Sequence, residues 1–138
     1  MRFAADPALA SPTTMTTTIR IMLVDDSRTF LDSAGALLDA IPGFEVVARL
    51  RSAEDALAEL RFTRPDVVIL DIHMPGMSGL EAARRIKTRP TPPRVILTTI
   101  HDGSEYHRAA GAVGADAFIA KSEFGARIGA AVLGTESN

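Results

Sequence analysis

A run of branched apolar residues that ends in a carboxylate is the feature that most limits how this chain can fold. Residues 67–70 are Val-Val-Ile-Leu, Asp71 follows them, and residues 74–76 are Met-Pro-Gly. Uninterrupted branched residues are typical of a strand buried on both faces of a parallel sheet, and Pro-Gly forces the chain to turn. Asp71 is therefore predicted at the carboxyl end of a central strand, where ligands of open α/β sheets bind. On this stretch alone, a local role for Asp71 in capping the turn fits equally well.

Composition limits the class of protein and the chemistry of its side chains. The chain has 138 residues, of which 46% are hydrophobic and 23% charged, as expected for one globular domain with a buried core. Its net charge of −2 gives no general attraction to nucleic acid or anionic membranes, and no apolar run is long enough to span a membrane. The chain has no cysteine, which excludes disulfides and thiol chemistry and is compatible with the cytoplasmic location that we predict.

The ends of the chain differ in composition from its centre. Residues 1–18 are rich in Ala, Pro, Ser and Thr and are predicted to be a flexible tail, within which Met15 is an alternative natural start to Met1. Residues 19–134 are predicted to fold as one domain, and residues 135–138 as a short C-terminal tail.

Five apolar runs alternate with five segments that have helical spacing of apolar residues. This alternation predicts an α/β fold, a (βα)5 flavodoxin-like doubly wound parallel sheet with helices on both faces. Right-handed crossovers leave only a few strand orders possible, and the order 2-1-3-4-5 is adopted from proteins with this architecture. The predicted strands are 19–24, 44–50, 67–71, 95–99 and 117–120, and the predicted helices are about 28–41, 53–60, 80–87, 105–110 and 123–133. Ser52 and Ser104 are predicted to cap the second and fourth helices, and Asp102 is predicted to lie in a turn before the fourth. Phe30 and Leu133 are among the apolar helix residues that are predicted to face inward.

Polar residues stand at the predicted carboxyl ends of four strands, so in a parallel sheet they share one edge. Three neighbouring carboxylates repel one another, which raises the pKa of at least one of them unless a cation binds. Mg²⁺ prefers carboxylate oxygens and keeps several waters, so its open positions can take phosphate oxygens. The residues are Asp25 and Asp26 after the first strand, Asp71 at the third, Thr98 and Thr99 at the fourth and Lys121 after the fifth.

This combination, with Met-Pro-Gly at residues 74–76, resembles the receiver domain of two-component response regulators over residues 19–133. Residues 100–116 are similar to receivers that are usually joined to a helix-turn-helix output domain. The resemblance implies a bacterial phosphorelay switch that accepts a phosphoryl group from a sensor histidine kinase or phosphotransfer protein and changes conformation to control a partner or output domain. It further implies a non-enzyme with at most slow self-dephosphorylation, a possible homodimer, and no direct contact with nucleic acid or membrane.

The resemblance assigns roles around the acceptor by position. Asp71 would be the phosphoacceptor, because a carboxylate can attack phosphorus to form an acyl phosphate. Asp26 would bind Mg²⁺ directly, and Asp25 would bind it directly or through water. The backbone carbonyl of His73 would be a further Mg²⁺ ligand.

The resemblance also assigns the residues that respond to the phosphoryl group. Lys121 would contact that group. Thr99 rather than Thr98 would be the switch hydroxyl, because its separation from Lys121 along the sequence matches the family. Phe118 would be the aromatic that changes rotamer; the alternative is that it is simply a core residue. Ser122 departs from the proline that many receivers have after the lysine, which leaves the following loop less defined.

Two other functions use similar residues. A phosphatase of the haloacid dehalogenase type also has an aspartate nucleophile and Mg²⁺, but it needs a second aspartate two positions later, where this chain has His73. A receiver-like scaffold that is never phosphorylated would have lost an acidic residue or the lysine, and neither is lost here. His73, His101 and His107 share no metal-ligand spacing and are predicted to be surface groups.

Overall fold

The computed structural model of the chain describes residues 17–101 and 103–136, in which five parallel strands alternate with five helices. The sheet order is β2-β1-β3-β4-β5, so the predicted flavodoxin-like fold and its adopted strand order are confirmed. The predicted tail is described only from residue 17, and the predicted turn residue Asp102 lies outside the described residues. The strands are β1 Ile19–Val24, β2 Phe44–Leu50, β3 Val67–Asp71, β4 Arg94–Thr99 and β5 Ala117–Ala120, and the helices are α1 Arg28–Asp39, α2 Ala53–Thr63, α3 Gly79–Lys87, α4 Ser104–Ala112 and α5 Phe124–Leu133.

Strand β3 lies at the centre of the sheet, between β1 and β4, and all five of its residues are buried. Its side chains alternate between two cores because successive residues of a strand point to opposite faces. Val68 and Leu70 contribute to the core beneath α2 and α3, whereas Val67 and Ile69 contribute to the core beneath α1 and α5. Burial on both faces accounts for the absence of polar residues before Asp71 in this strand.

Serine side chains cap three of the helices. Ser27, Ser52 and Ser78 each accept a hydrogen bond from the backbone amide three residues later, which satisfies one free N–H group of the first turn. The predicted cap at Ser104 is wrong, because Ser104 is the first residue of α4 and Gly103 occupies the N-cap position. Serine at the first helical position cannot make the same bond, since its backbone has already turned into the helix.

The last helix begins one residue later than predicted. A 3₁₀ turn over Lys121–Glu123 separates β5 from α5, which starts at Phe124. Leu133 is predicted to face inward but is 56% exposed, because it lies on the opposite side of α5 from the buried residues Phe124, Ile128 and Ala131. None of the helices among the described residues is long and apolar enough to cross a membrane.

Candidate functional site

Three acidic side chains meet at the carboxyl edge of the sheet. Asp25 and Asp26 follow β1 and Asp71 ends β3, and because β1 and β3 are paired in parallel, the two strand ends lie side by side. One carboxylate oxygen from each residue lies within 4.8 Å of the others. Asp25 is 1% exposed and Asp71 is 5% exposed, whereas Asp26 is half-buried and accessible to solvent.

Lys121 brings a positive charge into this cluster. Its Nζ lies 2.6 Å from Asp25 Oδ2 and 3.7 Å from Asp71 Oδ2. Asp25 Oδ1 also accepts a hydrogen bond from the backbone N–H of Ser27 at 2.9 Å. The ammonium group therefore offsets part of the repulsion between the carboxylates and lies closest to the one that is most deeply buried.

Phe30 is a neighbour of Lys121 that the sequence patterns missed. Lys121 Nζ lies 4.4 Å from the centre of the Phe30 ring, within the range of a cation–π contact. The same ring packs edge-to-face against Phe124, at a centroid separation of 5.2 Å. Helical spacing predicted only that Phe30 faces inward; its position in the first turn after Asp25 and Asp26 is the signal that could have placed it beside the cluster.

The environment of Asp71 raises the pKa of its carboxyl group to about 6, from an ordinary value of 3.8. Burial is the largest cause, and the negative charge of Asp25 acts in the same direction. The Lys121 ammonium and a hydrogen bond from the His73 backbone oppose the rise, and the Asp26 charge adds to it. Asp71 remains mostly ionised at neutral pH and is therefore available as a nucleophile.

This raised pKa predicts that Asp71 affects fold stability differently at acid and neutral pH. Between about pH 4 and pH 6 the folded chain binds more protons at Asp71 than the unfolded chain, so its contribution is favourable at low pH and is lost as pH rises through the folded pKa of about 6. In thermal melts without divalent cations, Asp71→Asn should therefore raise Tm above the parent at pH 7.5, with the gain shrinking toward pH 4. Glu45→Gln removes an exposed carboxylate as the control. A gain that is constant with pH would contradict the titration of Asp71 as its cause.

Two buried hydroxyls end β4 beside the acidic cluster. Thr98 is paired in register with Asp71, and its Oγ1 has no hydrogen-bond partner among the described residues. Thr99 is paired with Ala120, the residue before Lys121, and its Oγ1 accepts a hydrogen bond from the backbone N–H of His101 at 3.0 Å. Both threonines are therefore close in register to the predicted acceptor and to the lysine.

Phe118 borders both a core and an open cavity. It is half-buried, packs against the core beneath α2 and α3, and makes an edge-to-face contact with His107 at 5.6 Å. A cavity of about 600 Å³ between α4 and α5 is lined by Phe118, Ala120 and Arg127 among others. The ring therefore has free volume beside it, which a residue locked in a core would lack.

The structure also brings together two of the histidines, which was not predicted. His73, in the loop after β3, and His101, in the loop after β4, have ring centroids 5.0 Å apart. Tyr106 of α4 contacts His73 edge-to-face at 5.2 Å and stacks on His101 at 5.6 Å. All three histidines are exposed, as predicted, but spacing along one segment could not reveal a pair on two loops.

Comparison with known proteins identifies the family. Residues 21–132 match the family described as response regulator receiver domain. The chain belongs to this family. The solved LuxR-family two-component response regulator from Aurantimonas sp. SI85-9A1 is 34% identical to this receiver, with a TM-score of 0.80 over 88% of this chain and 90% of that chain. The response regulator domain of CheB from Thermotoga maritima is 26% identical, with a TM-score of 0.78 over 86% of this chain and 96% of that chain.

Curated relatives of the receiver are enzymes. A protein-glutamate methylesterase/protein-glutamine glutaminase of Geobacillus kaustophilus (strain HTA426) is 38% identical over 105 residues, which are 75% of this chain and 30% of that protein. A protein of the same name from Agrobacterium fabrum (strain C58 / ATCC 33970) is 39% identical over 102 residues, which are 73% of this chain and 29% of that protein. The chain therefore spans less than a third of the length of these relatives.

These relatives contradict the prediction of a non-enzyme. That prediction was drawn from receiver residues alone, and the match to the named enzymes is confined to the receiver. An acidic cluster at strand ends bears only on the receiver domain and carries no information about catalysis elsewhere in a longer protein. The prediction was wrong because it extended a property of one domain to the whole protein.

Proposed function

We propose that this receiver accepts a phosphoryl group on Asp71, with Mg²⁺, and works as a conformational switch. The observation that most supports the proposal is the approach of three carboxylates to within 4.8 Å beside the Lys121 ammonium. The proposed unit is residues 19–134, in the cytoplasm, and the donor is a sensor histidine kinase or phosphotransfer protein. Receivers of enzymes and of LuxR-family regulators are both among the similar proteins, so the proposal concerns the switch that they share.

The donor set fits a hard divalent cation, because carboxylate and carbonyl oxygens are the ligands that Mg²⁺ prefers. Asp26 is the proposed direct ligand, since it is only half-buried and faces the opening of the cluster. Asp25 is already held by Ser27 and Lys121, which supports binding directly or through water. Asp71 and the His73 carbonyl complete the proposed ligand set, and the bound ion would supply positive charge to phosphoryl oxygens.

Asp71 is the proposed nucleophile of the transfer. One of its carboxylate oxygens forms a bond to phosphorus while the bond between phosphorus and the donor atom breaks, and the donor leaves with that electron pair. Lys121 then exchanges its contact with Asp25 for contacts with the phosphoryl oxygens, a small movement because its Nζ already lies 3.7 Å from Asp71 Oδ2. Phe30 holds the ammonium group near both positions.

Thr99 and Phe118 are the proposed switch residues. The Thr99 hydroxyl accepts a hydrogen bond from the His101 N–H, so its own hydrogen is free to donate to a phosphoryl oxygen, and the cavity beside Phe118 can receive the turned ring. Moving a two-state balance from 1:99 to 99:1 requires roughly 5.5 kcal/mol. One or two charge-assisted hydrogen bonds supply about 1.5–3 kcal/mol each, so a partial shift of a pre-existing balance is expected.

Incubation with a small acyl phosphate should add one acid-labile phosphoryl group to the chain, and only when a divalent cation is present. Intact mass measures the addition, and chelation of the cation is the control. Amide chemical shifts of the same samples should change most around Tyr106, Phe118 and Phe124, and the changes around Leu37 and Leu57 should be small. A scaffold would show no addition, a phosphatase would release many equivalents of phosphate per chain, and remote shifts confined to α1 and α2 would contradict the proposed switch.

A further inference from the structure

Two imidazole rings from separate loops lie next to each other at the carboxyl edge of the sheet. His73 follows the end of β3 by two residues and His101 follows the end of β4 by two residues. Because Asp71 is paired in register with Thr98, the two loops leave the sheet side by side. The ring centroids are 5.0 Å apart and the ring planes are inclined at 83°.

That separation matches the separation that a shared metal ion requires. An ion about 2 Å from one nitrogen of each ring, with a tetrahedral angle between the two bonds, places the ring centres roughly 5 Å apart. Both histidines are exposed, so an ion and its waters can reach the space between the rings without disturbing the core. Packing of aromatic rings alone allows a wider range of centroid separations, about 4.5–7 Å.

Tyr106 distinguishes this pair from two mobile surface histidines. Its ring stacks on His101 with an interplanar angle of 18° and contacts the edge of His73, so the same side chain limits the movement of both imidazoles. Rings that are already held near their bound positions lose less conformational entropy when a ligand binds. The pair is in this sense partly preorganised.

We propose that His73 and His101 form a two-histidine site for a divalent transition-metal ion of the Zn²⁺ class. Imidazole nitrogens favour Zn²⁺, Cu²⁺ and Ni²⁺, whereas carboxylate and carbonyl oxygens favour Mg²⁺, so the site differs in ligand type from the proposed Mg²⁺ cluster. Within residues 17–101 and 103–136, Asp25, Asp26 and Asp71 are the only group of three or more side chains placed to hold a metal ion. No third side chain within those ranges therefore joins His73 and His101, and water completes the coordination.

An ion at this site would join the loop after β3 to the loop after β4. These loops directly follow Asp71 and Thr99, so the ion would restrict the chain next to the proposed acceptor and the proposed switch hydroxyl. The negative charge of that cluster also raises the local concentration of divalent cations. Binding itself does not depend on phosphorylation and can be tested on the unmodified chain.

The test is a calorimetric titration of the full chain with Zn²⁺, with Mg²⁺ in large excess to occupy the carboxylates. His73→Gln and His101→Gln should each lower the affinity for Zn²⁺ at least roughly tenfold. Losing a group that only hydrogen-bonds to a ligating histidine already costs about that much affinity, and these variants lose the ligand itself. His107→Gln is the matched control, because His107 lies on α4 against Phe118 and should leave the affinity unchanged. In the parent, imidazole resonances of His73 and His101 should shift together at the same Zn²⁺ concentration.

Three results would overturn the two-histidine site. Equal losses in all three variants would indicate unspecific binding to surface imidazoles. A loss in only one of His73→Gln and His101→Gln would indicate a single ligand and leave the ring contact as packing only. Absence of Zn²⁺ binding by the parent in excess Mg²⁺ would also overturn the site, and binding that returns when Mg²⁺ is left out, with the same affinity in every histidine variant, would assign the ion to the carboxylates.

Discussion

Replacing Asp71 with Asn should abolish acid-labile phosphorylation of this receiver by a small acyl phosphate. The amide keeps the shape of the side chain but has no anionic oxygen to attack phosphorus, so no acyl phosphate can form. Asp71 is 5% exposed, and the acidic cluster around it should otherwise keep its arrangement. Intact mass before and after mild acid treatment measures the loss, and we expect no detectable signal above an unphosphorylated standard.

The matched control is Asp32→Asn, which removes an exposed carboxylate from α1. Asp32→Asn should be phosphorylated as fully as the parent. Phosphorylation of Asp71→Asn to the parental level would place the acceptor elsewhere and refute the proposed function. The same outcome would leave the inferred histidine site untouched, because Zn²⁺ binding is measured without phosphorylation.

Replacing Gly79 with Ala should cause the largest loss of stability among single-methyl changes near the site. Gly79 is the first residue of α3, and its N–H donates to the Ile72 carbonyl at 2.8 Å. A Cβ at this position would lie 1.9 Å from the Asp71 carbonyl oxygen and 2.9 Å from Ile72 Cα. Those neighbours are backbone atoms, so no side chain can rotate away and the end of β3 or the start of α3 must move.

We expect Gly79→Ala to lower the free energy of unfolding by about 3 kcal/mol or more, at the upper end of overpacking effects. Urea unfolding measures the change, and phosphorylation of the surviving folded protein should slow because Asp71 is displaced. Gly129→Ala in α5 is the control. Apart from the adjacent residues and the nearby backbone of α5, no described atom lies within 4 Å of the added Cβ. That variant should gain up to about 1 kcal/mol from reduced chain entropy. Similar small changes in both variants would contradict the close approach of α3 to β3.

Local patterns predicted the elements well where the signal lies within a few neighbouring residues. The branched run before Asp71 and the apolar run of residues 19–24 indicated buried strands because neither contains the polar alternation of a one-sided strand. Ser52 was recognised as a cap because the bond it makes is to a residue three positions away. Gly103 was not recognised, since glycine at this position makes no side-chain bond that a residue type could reveal.

The acidic cluster was also predictable, but its internal contacts were not. Parallel strands end at one edge, so carboxylates after β1 and β3 had to be neighbours once the strand order was adopted. The pairing of Lys121 with Asp25 depends on how the 3₁₀ turn of Lys121–Glu123 directs the side chain. The contact with Phe30 depends in addition on where α1 packs.

The sequence by itself determined the alternating elements, the burial of β3 and the presence of Asp71 at a strand end, because each follows from the residue types within one segment. Tertiary structure alone decided which distant groups touch: Lys121 with Phe30, His73 with His101, and Gly79 with the backbone of Asp71. Such contacts depend on strand register and on the angle at which helices pack. A shift of one residue in register, or a different packing angle, would separate these groups without changing any local pattern.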